Sequence, residues 1–89
     1  MKEKEDFNTD FDSTTKDKNS LVVFNDNVNT FDWVIKCLVE VCQHDPIQAE
    51  QCATIIHYKN KCTVKSGDID EILPKFNELS TRGLTVEIQ

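Results

Sequence analysis

The feature that most restricts this 89-residue chain is where its apolar residues are missing. From Met1 to Ser20 the only large apolar side chains are Met1, Phe7 and Phe11, set among Lys, Glu, Asp, Asn, Ser and Thr. Four lysines face six acids there, a balance of −2, and no helical or strand period runs through the segment. A stretch with so little to bury cannot offset the entropy of its own ordering. Residues 1–20 are therefore expected to be a flexible acidic tail. One domain must be built from residues 21–89, near the lower size at which a chain folds without metals or disulfides.

The formal net charge of −6 argues against nucleic acid or an anionic membrane as partner, since phosphate affinity rests on clustered positive charge. No apolar run is long enough to span a bilayer, and the N-terminus lacks the apolar centre of a signal peptide. The expectation is a soluble, cytoplasmic protein. Cys37, Cys42, Cys52 and Cys62 are spaced by five, ten and ten residues, without the Cys-x-x-Cys pair of a zinc site. Three fall on apolar faces, so reduced, buried thiols are expected. No metal set and no cofactor site is expected.

The remaining sequence divides cleanly by period. Leu21 to Phe24 is an apolar run closed by Asn25-Asp26-Asn27, a strand ending in an Asx turn. Phe31, Val34, Ile35, Leu38, Val39 and Cys42 form a helical stripe, with Asn29 or Thr30 as N-cap. Asp45-Pro46 opens a second helix through Ala49, Cys52, Ala53 and Ile56, ending near His57-Tyr58. Cys62 and Val64 alternate with polar residues as a strand. Ser66-Gly67-Asp68 opens a third helix through Ile69, Ile72, Leu73, Phe76 and Leu79, with a kink or boundary expected at Pro74. Gly83 suits a left-handed C-cap, and Leu84, Val86 and Ile88 alternate as a last strand. The order βααβαβ predicts an α+β fold, a small sandwich of a three-stranded antiparallel sheet packed against three helices.

The polar residues that helix faces leave unexplained are Asn25, Asp26, Asn27 and His57. Each has a plain structural role: turn-making for the Asx cluster, and a helix-terminal cap for His57. His44, in the interhelical turn, is read as solvated. Asp26 and His57 could form a hydrolytic dyad, but no Gly-x-Ser-x-Gly nucleophile is present. Only Gly67 and Gly83 occur, so no phosphate-cradling loop exists. A binding module, not an enzyme, is the better reading.

Taken together, Leu21-Val22-Val23-Phe24-Asn25-Asp26-Asn27, then Phe31-Asp32-Trp33-Val34-Ile35, then Ala53-Thr54-Ile55-Ile56-His57-Tyr58 resemble the ClpS family over about residues 21–89. These are small adaptors that deliver N-degron substrates to the ClpA or ClpC unfoldase of the Clp protease. The resemblance implies that Asn25, Asp26 and His57 accept hydrogen bonds from a substrate α-amino group, partly through water. It also implies an apolar pocket for a first residue such as Leu, Phe, Tyr or Trp, walled by Phe31, Val34, Ala53, Ile56 and Leu84, with Asn29 at its rim. Without the resemblance those wall residues read as ordinary core. Asp70 and Lys75 occupy the positions that contact the unfoldase in relatives.

Several positions depart from the family pattern. Asn27 stands where many relatives have a second Asp, and Asn29-Thr30 replaces Thr-Pro. Phe31 and Ala53 stand where Met is common, which reshapes the pocket. The alternative readings are another interaction module of similar fold, like the C-terminal domain of the ribosomal stalk protein, and a small hydrolase using Asp26 and His57.

Overall fold

A computed structural model describes residues 18–89; most of the expected acidic tail, 1–17, lies outside the described residues. The element order is β1 (Asn19–Phe24), α1 (Phe31–Cys42), α2 (Pro46–Lys59), β2 (Lys61–Gly67), α3 (Ile69–Thr81) and β3 (Thr85–Ile88). The sheet is antiparallel throughout, with β1 in the centre and β2 and β3 on either side. Strand β1 starts at Asn19, inside the span read as tail. The pairing there is made by backbone, Ser20 and Gln89 exchanging two N–H···O bonds of 2.8 Å, so the polar side chains gave no sign of it.

Local chemistry sets the helix ends. Thr30 is the N-cap of α1, its hydroxyl accepting from the Trp33 N–H at 3.1 Å. Asp45 caps α2 through the Gln48 N–H at 2.9 Å, ahead of Pro46 in the first turn. The C-caps Gln43 and Asn60 and the loop residue Gly83 all take left-handed backbone, at φ 56, 76 and 90°. Leu21, Val23, Leu38, Ile72 and Leu79 centre one core between sheet and helices.

Two expectations are corrected. Of the kink or boundary expected at Pro74, the boundary is absent, since helix α3 runs on across it: packing of Ile72 and Leu79, both wholly buried, outweighs the missing hydrogen bond to the Asp70 carbonyl. His44 is buried, not solvated, with 5 % of its surface exposed. Its cause is a bulge in β2. The register passes from Leu21↔Lys65 to Val22↔Thr63 and leaves Val64 unmatched. The Val64 carbonyl then accepts from His44 Nε2–H at 2.7 Å. That leaves His44 Nδ1 buried without a protein partner among the described residues. All four cysteines are free thiols, three buried and Cys62 half-buried. Burial pushes the Cys42 thiol up to about 11 and raises those of Cys37 and Cys62 as well, keeping them protonated.

Pro74→Ala restores one backbone donor and removes the ring clash, so it is expected to stabilise the fold by about 1–3 kcal/mol. Urea unfolding measures this; an unchanged or lower midpoint would show that the proline is fully accommodated.

Candidate functional site

The Asn25-Asp26-Asn27 turn ends β1, and His57 lies near the end of α2. Their meeting has an identifiable cause. The Asn25 N–H donates to the Asn60 carbonyl at 2.9 Å, while the Asn60 N–H closes α2 on the Ile56 carbonyl at 2.9 Å. The end of the strand is thus tied to the residue that caps the helix, three positions beyond His57. Between them opens a cleft of about 50 Å³ lined by Asn25, Asn29, Phe31, Val34, Ala53, Ile56 and His57.

The walls and the rim differ in packing. Val34, Ala53 and Ile56 are buried members of the core cluster. Phe31 is 42 % exposed and lies outside it, so its ring is the wall least held by core packing. Leu84 does not line this cleft. It lines an adjoining, smaller cavity, together with Asp26 and the shared residues Asn25, Asn29, Val34 and Ile56. Asn27 is exposed and lines neither space.

The polar groups divide into engaged and free. Asp26 spends both carboxylate oxygens on its own surroundings. Oδ1 accepts from the Val28 and Asn29 N–H groups, each at 2.9 Å. Oδ2 accepts from Asn29 Nδ2 at 2.9 Å and from the Thr85 hydroxyl at 3.0 Å. These donors, led by the Asn29 backbone N–H, hold its pKa down to about 2. Asn29 Nδ2 also donates to the Gly83 carbonyl at 2.9 Å. Both of its acceptors can only accept, so the Asn29 amide nitrogen must face them and Oδ1 is its uncommitted atom. In contrast, none of the side-chain hydrogen bonds among the described residues engages Asn25 or His57, whose side chains are exposed. His57 has an edge contact with Tyr58, ring centres 4.9 Å apart at 83°.

Among the described residues no hydrogen bond links Asp26 to His57; the Asp26 oxygens accept instead from Val28, Asn29 and Thr85. Thr85 and Gly83 join the site through a hydroxyl and a carbonyl; the sequence marks Gly83 only as a helix cap and Thr85 not at all. Trp33 adds a further tie from α1, its indole N–H donating to the Arg82 carbonyl at 3.2 Å. Asp70 is exposed on α3. Lys75 is half-buried, its ammonium donating to Gln43 Oε1 at 3.0 Å and to the Val41 carbonyl at 3.4 Å. That places part of its donor capacity at the C-terminal end of α1.

Comparison with known proteins follows the same lines. The model of the family described as ATP-dependent Clp protease adaptor protein ClpS matches residues 14–87. Among solved structures the chain is similar to Agrobacterium tumefaciens ClpS2 bound to L-phenylalaninamide, with a TM-score of 0.78 at 15 % identity. The match covers 82 % of this chain and 95 % of that one, and at such identity it speaks to the fold alone. No curated protein sequence matches this chain.

Because the Asp26 pKa is depressed, its carboxylate stabilises the fold at neutral pH, and that contribution fades as pH falls from about 4 towards 2. Asp26→Asn is expected to lower stability at pH 7 and to flatten the loss of stability over this acid window. Denaturant midpoints collected from pH 7 to pH 2 test it. Wild-type and variant curves that stay parallel would exclude this role.

Proposed function

From the premise that this chain belongs to the ClpS family of Clp protease adaptors, we propose that it binds the free N-terminal residue of N-degron proteins. It then delivers them to a Clp unfoldase of the ClpA or ClpC type in the cytoplasm. The supporting observation is the cleft itself, where two uncommitted polar side chains, Asn25 and His57, stand beside an apolar wall. A protonated α-amino group offers three charge-assisted donors. The Asn25 carbonyl oxygen and an imidazole lone pair of His57 are matched acceptors. Asp26 contributes its negative charge from the adjoining cavity and holds the turn in shape, with water bridging to the ligand where reach requires it.

The first side chain enters between Phe31, Val34, Ala53 and Ile56, with Asn29 at the rim and Leu84 in the adjoining cavity. Burying a Leu or Phe side chain there contributes on the order of 1.5–3 kcal/mol. Phe31, the least packed wall, is the gate. The adaptor itself performs no chemistry; ATP hydrolysis and peptide cleavage belong to its partners. A stalk-like interaction module would not need Asn25 and His57 to line one space, so their convergence favours the adaptor. On α3, Asp70 and Lys75 form the unfoldase contact in this reading. Lys75 offers the ammonium hydrogen that Val41 and Gln43 leave free.

Calorimetry with a short Phe-first peptide tests the proposal. N-acetylation removes the charge and leaves acceptors unpaired, and is expected to weaken binding roughly tenfold or more. Asn25→Ala and His57→Ala should weaken the free peptide and leave the acetylated one little changed. Equal affinity for Phe-first and Glu-first peptides would sink the apolar pocket.

A further inference from the structure

We propose that the outward face of α2 is a second binding subsite. Its occupant is an apolar stretch at about the second to sixth residues of the same polypeptide whose first residue enters the cleft. The inference rests on the adaptor reading above and extends the site along its substrate.

Helix α2 is apolar on two sides. Ala49, Cys52, Ala53 and Ile56 are buried against the core. Ile47, Ile55 and Tyr58 are not, with 69 %, 43 % and 75 % of their surfaces exposed. Large apolar side chains on the solvent side of a helix gain nothing for the fold. Here they flank an open groove of about 470 Å³ lined by Ile47, Glu50, Gln51, Thr54 and Ile55.

The groove and the cleft are lined by different residues of the same helix. Glu50, Thr54 and His57 follow one another at four- and three-residue spacing, so they form one row along the helix. The first two line the groove and the last lines the cleft. Tyr58 is exposed beside His57 and in edge contact with it. In the proposed pose a polypeptide held by its first residue leaves over His57 and Tyr58, and its next residues are held at high effective concentration over the helix.

The lengths also agree. From Tyr58 back to Ile47 is eleven residues of helix, about 16 Å at 1.5 Å per residue. An extended peptide covers that distance in about five residues at 3.3 Å each. An apolar side chain in that stretch would find Ile55 and Ile47, and a Gly/Ser stretch would find nothing to bury.

The test uses the full chain and two Phe-first decapeptides, one with Leu and Val at the third to sixth residues, the other with Gly and Ser there. A Phe-Gly dipeptide amide serves as the cleft-only probe. The apolar decapeptide is expected to bind about fivefold more tightly than the Gly/Ser one. An Ile47→Ser/Ile55→Ser variant should erase that difference and leave the dipeptide affinity unchanged. Equal binding of the two decapeptides to the wild-type chain overturns the subsite, as does a preference that survives in the variant. Self-association of the chain that the same substitutions abolish would assign the face to a second copy and also overturn it. Failure of the adaptor reading looks different: the dipeptide amide would not bind, or would bind equally well when acetylated.

Discussion

Everything at the candidate site depends on one backbone hydrogen bond, from the Asn25 N–H to the Asn60 carbonyl. Asn60 can offer that carbonyl because its backbone turns left-handed, at φ 76°, as it leaves α2 for β2. Asparagine tolerates this conformation better than most residues. The strand end and the helix end are thereby locked at one edge of the sandwich. Val34 of α1 and Ala53 and Ile56 of α2 then face the gap between them. Residues 32 positions apart, Asn25 and His57, become neighbours in a cleft without touching each other through side chains.

A second fastening gives the turn its rigidity and decides which polar groups stay available. Asp26 gathers donors from Val28, Asn29 and Thr85, and Asn29 passes the connection on to Gly83. Three chain segments, the β1–α1 turn, the α3–β3 turn and the start of β3, are pinned by one carboxylate and one amide. Such charge-assisted bonds are among the stronger fastenings a small domain can make. Their consequence is a division among the polar groups: both Asp26 oxygens are engaged within the fold, while no side-chain hydrogen bond among the described residues uses Asn25 or His57.

The elements were legible because each announced itself locally. Period-3.6 stripes marked all three helices, and Thr30, Asp45, Pro46 and Gly83 marked their ends. Non-local backbone pairing was invisible: the Ser20–Gln89 exchange extends β1 into residues that look like tail. The bulge at Val64 hides in a regular alternation, and with it the burial of His44. Pro74 broke a local rule that tertiary packing overrode. At the site, Asn25 and His57 could be singled out as polar residues without a helical or strand role. Val34, Ala53 and Ile56 could not be told from core, because they are core on one side and cleft wall on the other. Only a resemblance to the ClpS family separated the two roles; Asp26 and Leu84, which it also implied, line the adjoining smaller cavity.

The cleft leaves apolar wall open to solvent that a closed core would bury. The gap exists because Ala53, 3 % exposed, occupies a position where a larger apolar side chain would close it. On the opposite side of the same helix, Ile47 and Ile55 present apolar surface where polar residues would cost nothing. A helix that leaves a hole on its inner side and grease on its outer side is poorly chosen for stability alone. Both choices fit the reading proposed above, in which the helix is the ledge over which another polypeptide is held by its end.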